Sequence, residues 1–284
     1  MKPAPFRYHA PKTVTEAVEM LGEVAPDDGR VLAGGQSLVP IMAFRLARPA
    51  YLVDINGVAG LNRLVVEGEQ LCIGACVRHA AFHKTVVQGP LGRLLVQVVR
   101  HIAHHPIRTR GTFCGSLAHA DPAAEWCLLV TALGGEMIAQ NTSRIRTIGA
   151  ADFFRGIMTT ALEEEELLTE VRLPIPAPDT RFGFYEFNRR AGDFALAMAL
   201  ASYRLHEGLI SEARVALGAV EEQPRRIEEA EGALVGRPPE RATFELAAEA
   251  AAAVVEPLDD VITSADYRRD LTRTVTRRAL EAAA

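Results

Sequence analysis

The chain has 284 residues, 49% of them hydrophobic and 24% charged, with a formal net charge of −5. That is enough apolar material for a large core divided among two or three structural units. The acidic balance offers nothing to attract nucleic acid or an anionic membrane surface.

Residues 13–21, TVTEAVEML, predict a helix. Thr13 and Glu16 match a capping box, Gly22 suits a stop, and Val14, Val18 and Leu21 share one face. Arg30 to Ala33 reads as a short strand ending at Gly34-Gly35. Ser37 then caps a helix to about Leu46, with Pro40 in its first turn, and Tyr51 to Ile55 is a second strand. Residues 1–57 therefore form a first small α/β unit.

Leu64-Val65-Val66 and Leu71-Cys72-Ile73, separated by Glu67-Gly68-Glu69, predict a hairpin. Leu91, Leu95, Val98 and Ile102 recur at helical spacing, so a helix runs to near His104. Residues 105–116 are turn-rich. Asp121-Pro122 opens a further helix, with Asp as cap and Pro in the first position, running to Gly134-Gly135. Met137 to Ile148 is a hairpin turning near Asn141, and Leu167 to Ile175 is a strand. The prolines at 174, 176 and 178 mark a boundary, which gives a second unit over 58–177. Beyond it, strands are expected at 182–188, 195–205 and 209–219, followed by packed helices. Residues 178–284 form the third unit.

The N-terminus MKPAPFRYHAPK lacks the apolar centre of a signal peptide, and no apolar run approaches the ~20 residues of a spanning helix. Cys72, Cys76, Cys114 and Cys127 form no C-x-x-C pair, which suits reduced thiols in a cytoplasmic protein and supplies no iron–sulfur spacing. Cys72 and Cys76 read as small buried hydrophobes. His101 and His105 stand four apart on the expected helix, but with no third ligand nearby they read as a polar helix end. Glu163 to Glu166 reads as a solvated turn and Trp126 as core. Neither a hydrolase nucleophile elbow nor the G-x-G-x-x-G dinucleotide fingerprint is present.

Two glycine-bearing stretches carry the chemistry. In Ala33-Gly34-Gly35-Gln36-Ser37 a strand runs into two glycines and a helix start. There, successive N–H groups and the helix dipole suit a diphosphate, and a plain tight turn is the alternative reading. Arg110-Gly111-Thr112-Phe113-Cys114-Gly115-Ser116, running on to Asp121, offers N–H and hydroxyl donors in a loop, or a simple connection into the next helix.

These stretches resemble a known family. AGGQSLVP (33–40), with RLARP (45–49) and LVDI (52–55), is similar to the first FAD loop of the medium subunits of aerobic carbon monoxide dehydrogenase-type enzymes. RGTFCGSLAHADPAAE (110–125) is similar to their second FAD loop. Ile107 to Arg110, Ile73 to Ala75 and RRAGDFA (189–195) also resemble the family.

The resemblance implies an α+β chain with the two-subdomain FAD-binding fold of the vanillyl-alcohol-oxidase and xanthine-dehydrogenase kind, plus a C-terminal antiparallel sheet with helices. It further implies an electron-transfer subunit of a molybdenum hydroxylase, a dimer of heterotrimers. A large subunit would hold the molybdenum cofactor, and a small subunit would hold two [2Fe–2S] clusters. Carried over residue by residue, Ala33, Gly34, Gly35, Gln36 and Ser37, flanked by Leu32 and Leu38, would meet the FAD pyrophosphate. Thr112, Cys114, Gly115 and Ser116 would complete the cradle. Asp121 and Glu125 would face FAD hydroxyls or the helix start, and Leu168 and Phe194 would lie against the flavin ring. Cys114 stands where the family usually has glycine. If that position requires positive φ, the cysteine strains it, and a non-catalytic module with a degenerate flavin site becomes an alternative. A stand-alone flavin oxidoreductase is the other.

Overall fold

The computed structural model describes residues 2–284. Its first sheet is parallel, with strands β1 (Arg7–His9), β2 (Gly29–Leu32) and β3 (Tyr51–Asp54) in the order β1-β3-β2. Parallel neighbours need crossover connections, and these are α1 (Val14–Val24) and α2 (Leu38–Ala43). Thr13 caps α1 by accepting from the Glu16 N–H at 3.1 Å. Gly22 does not end the helix. Val24 and Ala25 beyond it are buried, so packing carries the helix to Val24 and Pro26 then closes it in a 3₁₀ turn.

The second sheet is antiparallel, in the order β4-β5-β10-β6-β7, with β4 (Leu64–Glu67), β5 (Gln70–Gly74), β6 (Glu136–Gln140), β7 (Ile145–Gly149) and β10 (Leu167–Pro174). Between β5 and β6 come α3 (Pro90–Val98), α4 (His105–Arg108), α5 (Phe113–His119) and α6 (Glu125–Leu133). After β7 follow α7 (Ala150–Phe153) and a small hairpin of β8 (Phe154–Gly156) and β9 (Thr159–Thr160).

Four expectations fail in this unit. The helix expected to reach His104 stops at Val98, and the Arg108 guanidinium caps the following turn by donating to the Ile102 and Ala103 carbonyls at 2.7 and 2.8 Å. The turn-rich stretch contains two short helices. The helix expected to open at Asp121 instead starts at Glu125, because Asp121 Oδ1 accepts from Ala123 N–H (2.9 Å) and the Pro122 carbonyl accepts from Ala219 N–H (2.8 Å). The acidic run 163–166 is not wholly solvated either. The Glu166 side chain is fully buried and receives two bonds from Arg146, at 2.6 Å each, and one from the Glu163 N–H. Burial opposes its ionisation, but these donors outweigh burial and hold the carboxyl below its ordinary range.

The third unit is the antiparallel sheet β11-β12-β13-β14, formed by β11 (Arg181–Phe187), β12 (Ala197–His206), β13 (Leu209–Gly218) and the two-residue β14 (Arg225–Arg226). It is covered by α8 (Glu228–Leu234), α9 (Arg241–Val254) and α10 (Ala265–Ala282). β12 reads AMALASY without alternation because both its faces are covered. One face, with Met198 and Leu200, joins a core shared with the first two sheets, and the other, with Tyr203, packs under the helices. Gly183 lets α10 approach β11 closely: a Cβ there would stand on the Ala279 carbonyl and 2.8 Å from Ala283 N. The strands sort by sheet, and we propose 1–57, 58–177 and 178–284 as the three units.

Candidate functional site

The first glycine stretch leaves the end of β2 at Leu32 and turns through Ala33 to Ser37 into α2. Gly35 has φ +71°, where a side chain is strained. Residues 31–36 are all half-buried, so the turn is partly accessible to solvent. Gln36 Nε2 donates to the Gly34 carbonyl at 3.0 Å, and Asn56 Nδ2 to the Ala33 carbonyl at 2.7 Å. Among the described residues, the backbone N–H groups of Gly34, Gly35, Gln36, Ser37 and Leu38 donate to no protein acceptor. Ser37 does not cap α2 with its side chain, and α2 is too short for its dipole to add much. The anion-binding character of this turn therefore lies in the loop N–H groups, a concave nest of donors.

The second stretch meets the first. A Cβ on Gly34 would stand on the Arg110 carbonyl and 2.6 Å from Gly111 Cα, and one on Gly115 would come within 3.9 Å of Ala33 Cβ. Thr112 is buried and caps α5, its Oγ1 accepting from Gly115 N–H at 3.1 Å, while Ser116 N–H bonds to the Thr112 carbonyl. Those two N–H groups are engaged within the turn. This side leaves open the Ser116 hydroxyl, the Cys114 N–H, which donates to no protein acceptor, and the bare surface of Gly115. Cys114 is helical, with no positive φ, and its buried thiol donates to the Ile73 carbonyl at 3.5 Å. The strain argument against Cys114 falls away, and with it the reason to suspect a degenerate site. Burial pushes the thiol pKa up, so Cys114 stays a neutral packing group.

Three residues that sequence reasoning missed join the loops. Residues 77–79 run antiparallel to 111–113: Phe113 N–H bonds to the Val77 carbonyl at 2.9 Å and His79 N–H to the Gly111 carbonyl at 3.0 Å. The Arg78 guanidinium donates to the Arg110 carbonyl and, at 2.5 Å, to Asn56 Oδ1. His79 Nδ1 accepts from Trp126 Nε1 at 2.9 Å, and burial, then the positive charges of Arg78 and Arg108, lowers its pKa to about 4. His79 is thus a neutral acceptor behind the second loop. No periodicity or motif marks Asn56, Arg78 or His79.

Asp121 is half-buried in the turn before α6, and Glu125 is the first residue of that helix. Leu168 lies in β10 beside a bulge, 4% exposed, and Phe194 is 73% exposed on the β11–β12 connection. Cys72 and Cys76 are both buried free thiols, Cys76 bonding to the Ile55 carbonyl at 3.3 Å. His101 lies beyond the end of α3 and His105 opens α4, so the helical four-residue spacing expected of them does not exist. Among the described residues no group of three or more His, Cys, Asp or Glu could hold a metal ion.

A buried acidic seam lies close by. Glu186 on β11 has no side-chain exposure. Its Oε1 accepts from Asn188 Nδ2 at 2.9 Å, Oε2 has no hydrogen-bond partner, and His101 Nδ1 stands 3.6 Å from it. Burial raises the pKa of Glu186, and burial together with Glu186 itself raises that of Glu125, while burial lowers His101. Burial thus disfavours the charged form of both partners in this contact. In the folded chain these carboxyls keep protons that the unfolded chain releases in the ordinary carboxylate range, so stability falls as pH rises from there through neutrality. Glu186→Gln is expected to flatten this fall and to melt several degrees above the unsubstituted protein at pH 9. Thermal melts at pH 6 and pH 9 check it; equal slopes for both proteins would refute it.

A run of unpartnered N–H groups, a glycine pair that permits close approach and an open hydroxyl together suit a diphosphate. Residues 4–176 match the family described as the FAD binding domain in molybdopterin dehydrogenase, and residues 182–283 match the CO dehydrogenase flavoprotein C-terminal domain. The chain is 38% identical to the nicotine 6-hydroxylase medium subunit of Paenarthrobacter nicotinovorans, over 99% of this chain and 98% of that one. It is 36% identical to the carbon monoxide dehydrogenase medium chain of Hydrogenophaga pseudoflava, over 100% and 98%. Among solved structures it is similar to carbon monoxide dehydrogenase from Hydrogenophaga pseudoflava, with a TM-score of 0.95 at 37% identity over 100% of this chain and 98% of that one. It is likewise similar to quinoline 2-oxidoreductase from Pseudomonas putida 86, with a TM-score of 0.92 at 39% identity over 100% and 98%. No helix among the described residues is long and apolar enough to cross a membrane. The chain belongs to the FAD-binding medium subunits of the carbon monoxide dehydrogenase and xanthine dehydrogenase family, and is the flavoprotein subunit of an oxidoreductase.

Proposed function

We propose that this subunit carries electrons from two [2Fe–2S] clusters in a small partner subunit, through FAD, to an external acceptor. The organic substrate would be oxidised at a molybdenum cofactor in a large partner subunit, within a cytoplasmic dimer of heterotrimers. The observation that carries this reading is the junction at Gly34, where the glycine turn after β2 meets the one between α4 and α5 below a row of free N–H groups. The medium-chain names of its relatives support the division of labour.

FAD, when bound, supplies the exchange between one-electron and two-electron carriers. The chain's own residues bind and orient it. The N–H groups of Ala33 to Ser37, flanked by Leu32 and Leu38, would hold the pyrophosphate. Thr112, Cys114, Gly115 and Ser116 would form the opposite wall, where the Ser116 hydroxyl is a free donor. Asp121 and Glu125 would face FAD hydroxyls, and Leu168 and Phe194 would bound the ring.

Purifying the native protein with its partners tests the proposal. Heating should release one FAD per copy of this chain, and the preparation should contain a molybdenum subunit and an iron–sulfur subunit. A protein that purifies alone, turns over an organic substrate by itself, or releases no flavin would overturn it.

A further inference from the structure

The free N–H groups of the first turn need something to aim them. A peptide unit is planar and trans, so its carbonyl and its N–H point in opposite directions. The Ala33 carbonyl shares a plane with Gly34 N–H, and the Gly34 carbonyl with Gly35 N–H. Glycine peptides turn over at little steric cost. A flipped unit would present its carbonyl oxygen, the negative end of its dipole, to an arriving anion.

Two side-chain amides oppose this. Asn56 Nδ2 holds the Ala33 carbonyl at 2.7 Å and Gln36 Nε2 holds the Gly34 carbonyl at 3.0 Å. The Asn56 amide is itself fixed from both ends. Its Oδ1 accepts from Arg78 Nη2 at 2.5 Å, and its Nδ2 also donates to Asp54 Oδ1 at 2.6 Å. Reversed, it would set its NH₂ against a guanidinium and its oxygen against a carboxylate and a carbonyl. Asp54 is in turn held by the Tyr8 hydroxyl and by Asn56 N–H.

We infer that Asn56 and Gln36 are positioning residues that aim the Gly34 and Gly35 N–H groups at the FAD pyrophosphate, with Arg78 setting the sense of the Asn56 amide. The inference rests on the pyrophosphate reading above and adds side chains that meet no cofactor atom. Arg78 also donates to the Arg110 carbonyl, so one guanidinium coordinates both turns.

Asn56→Leu and Gln36→Met test it, since each keeps approximate side-chain size and removes the amide donor without adding a charge. The variants are purified with the subunits that accompany the wild-type chain, stripped of flavin and titrated with FAD. Each substitution should raise the FAD Kd about tenfold or more. The FAD-free melting temperature should stay within about 2 °C of wild type. Phosphorus NMR of bound FAD should show displaced diphosphate signals in both variants. Affinities within about twofold of wild type, below ~0.5 kcal/mol, would overturn the inference. So would weaker binding matched by a lower FAD-free melting temperature with unmoved phosphorus signals. A wild-type protein that takes up no FAD would sink the pyrophosphate reading itself, an outcome recognisable without the variants.

Discussion

Alanine at Gly34 should strip the protein of FAD. The methyl group would land on the Arg110 carbonyl and within 2.6 Å of Gly111 Cα. Both obstacles are backbone, so neither can swing aside as a side chain would. One loop must move, and the cradle opens. Overpacking of this kind costs about 1–3 kcal/mol, and here the cost falls on the arrangement that binds the ligand. FAD affinity is expected to drop about a hundredfold, the equivalent of ~2.7 kcal/mol. Alanine at Gly35 gives an internal comparison. There the penalties are the positive φ, about 1 kcal/mol, and the Val39 side chain at 3.1 Å, which can give way. Its affinity loss should be several times smaller. The ratio of absorbance at 450 nm to that at 280 nm in each purified variant reads both. Equal FAD content in Gly34→Ala and wild type would exclude contact of the two turns in solution.

Truncating Trp126 should be the most damaging single change to stability. The side chain is fully buried, with ring centroids 4.8 Å from Phe113 and 5.3 Å from Phe82, and it donates to His79 Nδ1 at 2.9 Å. Trp126→Ala leaves a large cavity, costing about 3–5 kcal/mol, and leaves His79 Nδ1 buried without its donor, worth a further ~1–3 kcal/mol. Trp126→Phe separates the two effects, since it retains most of the packing and loses only the donor. Urea melts followed by far-UV circular dichroism should rank wild type above Trp126→Phe above Trp126→Ala. A Trp126→Phe protein as stable as wild type would show that the His79 bond contributes nothing. Because Phe113 follows directly on Thr112, Trp126→Ala should also lower FAD content.

The elements that sequence patterning placed well are those whose contacts are local. The hairpin at 64–74, the β6–β7 turn at Asn141 and the β12–β13 turn at Glu207-Gly208 all follow from alternation and turn chemistry. The misplaced boundaries were set from a distance. The start of α6 depends on Ala219, and the length of α1 on burial of Val24 and Ala25. The candidate site divides the same way. Both glycine turns stand out by composition, and a likeness to a known family gave them a ligand. Asn56, Arg78 and His79 act through orientation and long-range bonds, and nothing in local spacing separates them from ordinary surface or core positions. Cys114 shows the reverse error. An unexpected residue type suggested strain, yet its place inside α5 makes it unremarkable.

The meeting of the two turns has a thermodynamic corollary. One follows the parallel sheet and the other lies among the helices packed with the antiparallel one, so a ligand gripping both acts as a cross-brace that recognises only the joined arrangement. Each tenfold excess of FAD over its Kd should add about 1.4 kcal/mol to the work of prising the two sheets apart. Flavin loss during heating would then track the parting of the two sheets.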